Sequence, residues 1–181
     1  LKAESFIQAL KALDADVAVV VAFRMLPKAV WSLPKWGTFN LHASLLPQYR
    51  GAAPINWALV NGETESGVTT FFIDEKIDTG AILLQEKIQL NANETAGSLH
   101  DRLASLGSRL IVETIIGLQK GNLTPQAQEN PPKLLAAPKL SKENTRIPWH
   151  KHLLAIQNFV RGMNPYPGAW CILSTAEGEK S

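Results

Sequence analysis

"DVAVVVAFRMLPKAVWSLPKWGTFNLH", Asp16 to His42, decides how the rest of this chain is read. Val17 to Ala22 is apolar without alternation, the pattern of a strand covered on both faces in a parallel sheet. Pro27 and Pro34 bracket a short helical piece, and Thr38 to His42 reads as the next strand. Upstream, Phe6, Ile7, Leu10 and Leu13 fall at helical spacing until Asp14-Ala15-Asp16 breaks the run. Helix, buried strand, helix, strand is the grammar of a doubly wound α/β sheet. A sheet that opens on a helix is expected to have earlier strands that precede Leu1.

Downstream the same grammar continues. Pro54 suits the first turn of a helix that Asn61-Gly62 ends. Gly67 to Ile73 and Ile82 to Leu90 are strand candidates around the turn Asp74 to Gly80. Leu99, Leu103, Leu106, Leu110, Ile111, Ile115 and Leu118 mark one face of a long helix from Thr95 to about Gln119, stopped by Gly121. Then Pro125, Pro131, Pro132 and Pro138 punctuate a stretch with little periodicity, an expected extended linker over 124–142. Residues 150–163 predict an amphipathic helix with Leu153, Ile156, Val160 and Met163 on its apolar face. Ala169 to Ser174 predicts a strand, and Glu177-Gly178-Glu179 a hairpin turn. A lone strand cannot bury itself, so a β-rich second domain is expected from residue 143, cut short at 181.

The bulk numbers narrow the class. The 181 residues are 45% hydrophobic, enough for a packed core, and no apolar run approaches the ~20 residues of a membrane span. Cys171 is the single cysteine, which rules out an internal disulfide and fits a reducing cytoplasm. Charge is uneven. Residues 1–123 balance at −1, whereas 130–163 hold six basic side chains (Lys133, Lys139, Lys142, Arg146, Lys151, Arg161) against Glu143 alone. Such a run is either an ordinary solvated surface or a face for a polyanion.

Strand side chains alternate, so Asn40 and His42 share one face while Phe39 and Leu41 take the other. A carboxamide and an imidazole side by side at a strand's carboxyl end can grip one developing oxyanion, and ligands of open α/β sheets bind at that end. Asp78, in the turn between two strand candidates, can reach back to orient the imidazole. Singly, each of the three is more often a structural residue than a catalytic one. His150 and His152 read as surface residues, and the four histidines suggest no metal site.

Asn40-x-His42, Ser44-Leu45-Leu46-Pro47, Arg50-Gly51-Ala52-Ala53-Pro54 and Asp78-Thr79-Gly80 together resemble the formyltransferase family that uses 10-formyltetrahydrofolate. The resemblance implies a Rossmann-like formyltransferase domain with a mostly parallel sheet over 1–123. After the linker 124–142, it implies the start of a small OB-like barrel over 143–181. It also implies Asn40, His42 and Asp78 as the catalytic trio, Ser44, Leu45, Leu46 and Pro47 as a wall of the folate pocket, and no metal. Within the family, Lys139 to Glu143, Arg146 to Trp149, Arg161 and Asn164 to Pro167 are most similar to the branch that formylates charged initiator tRNA. Pro148 departs from that pattern, where an acidic residue is common, as does Ala43, where Gly or Pro is frequent. The implied protein is a cytoplasmic monomer acting in translation initiation. Another amine acceptor (an amino sugar nucleotide or glycinamide ribonucleotide), or an inactive folate- or RNA-binding fragment, remains the alternative. Arg50 either contacts substrate or fixes its own loop.

Overall fold

The structure, a computed structural model, describes residues 3–22, 25–129, 131–175 and 178–180. Helix α1 (Glu4–Ala12) leads into β1 (Ala18–Val21), the short α2 (Lys28–Trp31) and β2 (Thr38–His42). Next come a two-residue β3 (Arg50–Gly51), α3 (Pro54–Val60), β4 (Glu65–Phe72), β5 (Ile82–Gln89) and the long α4 (Ala96–Lys120). A two-residue β6 (Ala136–Ala137), α5 (Leu153–Gly162), β7 (Leu173–Thr175) and β8 (Gly178–Lys180) complete the order. The predicted helices and the strands of the first half differ from these by no more than three residues at their ends, the largest gap being the start of α5.

The main sheet runs β1-β2-β4-β5. It is mixed: β1 and β2 are parallel, β4 runs against both of its neighbours, and β5 therefore shares the direction of β1 and β2. The antiparallel pairing of β4 with β5 follows from chain length, because the Asp74–Gly80 turn is too short for a crossover and can only close a hairpin. Among these four strands β1 stands at one end of the order, with Val19 38% and Val21 53% exposed in the 181 residues.

Helix α4 seals one face of the sheet. Leu99, Leu103, Leu106 and Leu110 are all buried, packed with Val68, Leu41, Leu84 and Ile88. Each such side chain contributes ~1.5–3 kcal/mol by leaving water. The helix can lie close because Gly107 faces Leu41, and the Thr70 and Thr114 hydroxyls satisfy each other at 2.8 Å inside the contact. Its start is a capping box, Thr95 accepting from the Ser98 N–H while Ser98 Oγ accepts from the Thr95 N–H.

Glu94, just ahead of that cap, ties three elements together. Its buried carboxylate accepts from the Asn91 N–H at 3.0 Å and pairs with the Arg102 guanidinium, while its backbone carbonyl accepts from Arg161 on α5 at 3.3 Å. Arg102 also donates to Gln89 O at the end of β5. Glu94→Ala is expected to cost ~1–3 kcal/mol in urea unfolding, since it removes the acceptor for three donors, Asn91 N–H, Arg102 and Ser98 Oγ, while Arg102 keeps partial access to water.

The second half differs from expectation in three places. On α5 the buried positions are Phe159 and Gly162, with Met163 just beyond, while Leu153 is 81% exposed and Val160 40% exposed. Gly162 sets this rotation by seating α5 directly against Asn56 O and Val60 of α3. Strand β7 begins at Leu173 instead of Ala169, because Trp170 bridges to Arg146 and is held by backbone bonds to Thr145 O and Ile147 N. Gly178 and Glu179 lie in β8, paired with Thr175 and Ser174, so the two residues between the strands are 176 and 177, outside the described residues.

Candidate active site

The carboxyl end of β2 opens on a cleft of about 710 Å³ lined by Asn40, His42 and Asp78. Pairing of β2 with β4 sets Asn40 opposite Phe71 and His42 opposite Thr69, on the sheet face away from Leu41, Thr70 and α4. The cleft's walls are largely apolar, with Val20, Leu26, Phe71 and Ile73 among them. An apolar pocket of a few hundred Å³ with a few convergent polar groups suits a small organic ligand.

His42 is almost fully buried, its ring edge-on to Phe71. Nε2 lies 2.8 Å from the backbone carbonyl of Tyr49. A carbonyl only accepts, so Nε2 carries the hydrogen. Nδ1 makes no hydrogen bond among the described residues, and its nearest carboxylate atom is Asp78 Oδ2 at 3.8 Å. Asp78 Oδ2 is itself anchored, accepting from the Gly51 N–H at 2.9 Å. Asp78 sits in the left-handed region (φ 54°), a conformation that costs a non-glycine residue ~1 kcal/mol or more and is kept only where surrounding bonds impose it.

Asn40 is the least settled group in the cleft. Its Oδ1 is enclosed and has no hydrogen-bond partner among the described residues. A buried orphan acceptor costs ~1–3 kcal/mol, which a bound donor would recover. A half-turn of the amide exchanges Oδ1 and Nδ2, so the side chain can offer either an acceptor or two donors to a ligand.

The sequence-predicted residues therefore separate. Asn40, His42 and Asp78 converge on the cleft. Ser44, Leu45, Leu46 and Pro47 are not among its lining residues. Ser44 Oγ donates to Gln48 O at 2.7 Å, and Thr69 Oγ bridges Ser44 O and the Leu46 N–H. Leu46 is buried, and Leu45 packs over Gly67. This segment props the loop from behind. Its wall-forming residues come later, at Gly51 to Asn56.

Arg50 resolves toward the loop-fixing reading: Nη2 and Nε donate to Gln128 Oε1 at 2.6 and 3.1 Å. Tyr49, also left-handed (φ 61°), donates its buried hydroxyl to Glu63 and accepts from Asn61, and burial pushes that hydroxyl's pKa well up. The 124–142 stretch is extended, yet it does not hang free. Gln126 bridges Ile82, Leu135 O accepts from the Tyr49 N–H, β6 pairs with β3, and Pro138 O accepts from Trp57 Nε1. Gly51 (φ 127°) is required there, since a Cβ would overlap the Ala137 carbonyl. Periodicity carries no signal for such a strap, because its bonds are made by backbone groups.

Comparison with known proteins places the chain in a family. Residues 1–115 match the family described as formyl transferase, and residues 139–180 match its C-terminal domain. The methionyl-tRNA formyltransferase of Flavobacterium johnsoniae is 56% identical across all of this chain, which spans 58% of that protein's length. That of Bacteroides thetaiotaomicron is 49% identical over 99% of the chain and 56% of its own length. Among solved structures, Aquifex aeolicus HypX in complex with tetrahydrofolic acid superposes with a TM-score of 0.76 at 21% identity, over 91% of this chain and 28% of that one. A Helicobacter canadensis N-formyltransferase in complex with folinic acid and dTDP-3-aminofucose gives a TM-score of 0.65 at 29% identity, over 77% of this chain and 51% of that one. With the family match covering well over half of its residues, this chain belongs to the formyl transferase family.

Proposed function

We propose that the chain is the catalytic centre and second-domain start of a cytoplasmic, monomeric enzyme that formylates methionyl initiator tRNA with 10-formyltetrahydrofolate. The observation that carries this reading is the convergence of Asn40, His42 and Asp78 on one cleft, with the Asn40 Oδ1 left for a ligand to satisfy. The identity of 56% to a methionyl-tRNA formyltransferase supports the choice of acceptor. In this reading residues 1–123 belong to the catalytic domain, 124–142 strap it, and 143–181 begin an OB-like barrel that contacts tRNA.

The bound folate supplies an electrophilic formyl carbon. The acceptor amine bonds to that carbon, the bond from carbon to the folate nitrogen breaks, and one proton passes from the amine to that nitrogen. Asn40 Nδ2 and the protonated form of His42, in which Nδ1 also carries a hydrogen, face the oxygen that gains charge during addition, and such donors are worth most where water is excluded. Tyr49 O fixes the ring by holding the Nε2 hydrogen. Asp78, fastened by Gly51, is the carboxylate placed to hold the other ring nitrogen and relay the amine's proton. Ser44 to Pro47 act on folate through the loop they prop, with Gly51 to Ala53 making the wall.

The basic stretch supports a polyanionic acceptor. Lys133, Lys139, Lys142, Arg146 and Lys151 are all exposed, whereas Arg161 is half-buried and occupied by Asn158 and the Glu94 carbonyl. Lys142 and Arg146 both lie over the Trp170 ring, at 5.3 and 5.8 Å from its centroid, which brings two cations to one spot. Changing both to Ala is expected to raise KM for tRNA, reduce the slope of log affinity against log salt by ~1 per lost phosphate contact, and leave the folate KM unchanged.

The test is an acceptor panel in the full reading frame that carries this sequence. With 10-formyltetrahydrofolate as donor, methionyl initiator tRNA, glycinamide ribonucleotide and an amino sugar nucleotide are offered in turn. Formyl transfer to the charged tRNA alone supports the proposal. Preference for a small amine keeps the site chemistry and rejects the tRNA reading.

A further inference from the structure

We infer that Gln128, a residue of the strap between the two family-matched regions, is a positioning residue for Asp78 and through it for formyl transfer. The inference rests on the formyl-transfer reading of the site, though not on which amine accepts the formyl group. Gln128 Nε2 donates to the backbone carbonyl of Asp78 at 2.9 Å and to that of Gly80 at 2.8 Å. Its Oε1 accepts twice from Arg50. Both amide hydrogens and the carbonyl oxygen are therefore in use, a full set for a side chain in an otherwise irregular segment.

The two sides of this clamp are the two segments that hold the carboxylate. Asp78 O and Gly80 O belong to the turn that keeps Asp78 left-handed, and Arg50 precedes Gly51, whose N–H grips Asp78 Oδ2. Removing Gln128 frees the turn to relax toward an ordinary conformation and frees the Gly51 segment from it. The carboxylate then loses its fixed relation to His42, now 3.8 Å away. A displacement of about 1 Å at a reacting group can cost ~10²-fold in rate. Of the neighbouring strap contacts, Gln48 with Leu135 and Lys133 does not touch the Asp78 turn, and β6 reaches it only through Gly51 of β3. The strap's side-chain hold on that turn is Gln128 alone among the described residues.

The experiment is a double-mutant cycle in the full reading frame, using release of tetrahydrofolate with the acceptor the panel favours. Gln128→Met is expected to lower kcat ~10–100-fold with little change in either KM, and to cost less than ~3-fold once Asp78 is Asn, because the two act as one unit. Gln128→Glu keeps the bond to Arg50 but turns a carboxylate toward the two turn carbonyls, so it is expected to be equally impaired. Thermal unfolding of each variant is followed in parallel, at an assay temperature where all are folded. If the costs multiply across the cycle, or if either Gln128 variant turns over normally with only a lowered Tm, Gln128 is a structural residue and the inference is overturned. An Asp78→Asn enzyme with normal turnover would instead reject the reading of the site itself.

Discussion

Asn40→Ala is expected to lower kcat by ~10²–10³-fold while leaving the protein at least as stable as before. The two halves of this expectation have one cause. Asn40 Oδ1 has no partner among the described residues, so the folded protein loses no hydrogen bond when the amide is removed, and it sheds an enclosed acceptor that is costly to leave unpaired. The transition state, by contrast, loses a donor to the oxygen that becomes charged. Steady-state kinetics and thermal unfolding on the same preparation check both. A fall in Tm of several degrees with unchanged kcat would mean that Asn40 is a packing residue.

Gly80→Ala is expected to damage stability and turnover together, by ~3 kcal/mol and ~10²-fold. A Cβ on residue 80 would overlap the carbonyl oxygen of Phe72, where the β4–β5 hairpin is drawn tight by the Phe72 N–H bond to Ala81 O. Backbone cannot swing aside as a side chain can, so the turn itself must move. That turn carries Asp78 and the two carbonyls held by Gln128. Gly121→Ala is the matching control. It also places a Cβ on a glycine of a tight backbone site (φ 64°), yet nothing lies within 4 Å, so a loss of ~1 kcal/mol without a change in kcat is expected there.

What the sequence discloses and what it hides divide along physical lines. Helix α4 is legible because its leucines repeat with the helical period and its ends carry a Thr cap and a glycine in the left-handed region. That Asn40, His42 and Asp78 meet is legible because strand alternation puts Asn40 and His42 on one face and the β4–β5 turn brings Asp78 back to it, and all three line one cleft. Which residues of a motif beside a site line the cleft is not legible, and Ser44 to Pro47 lie outside its lining. Here the hydroxyl of Ser44 is spent on Gln48 O. Strand β1 is legible as an apolar run, and it pairs in parallel with β2. The face of α5 is hidden. Leu153 and Val160 fit the period as well as Phe159 does, and only the glycine contact at Gly162 decides which side meets α3. Gln128 leaves no trace at all, being one polar residue among several in a proline-punctuated stretch.

The measurement that bears most directly on the central claim is a rapid-quench single turnover of the full-length enzyme and its His42→Ala variant, with 10-formyltetrahydrofolate and methionyl initiator tRNA. Folate binding is measured separately by equilibrium titration. The account expects one formyl group on the amine per tetrahydrofolate released by the parent enzyme. In the variant it expects binding within a few-fold of normal and a chemical step slowed by ~10²-fold or more. A His42→Ala enzyme that binds folate and transfers the formyl group at the parent's rate would contradict it.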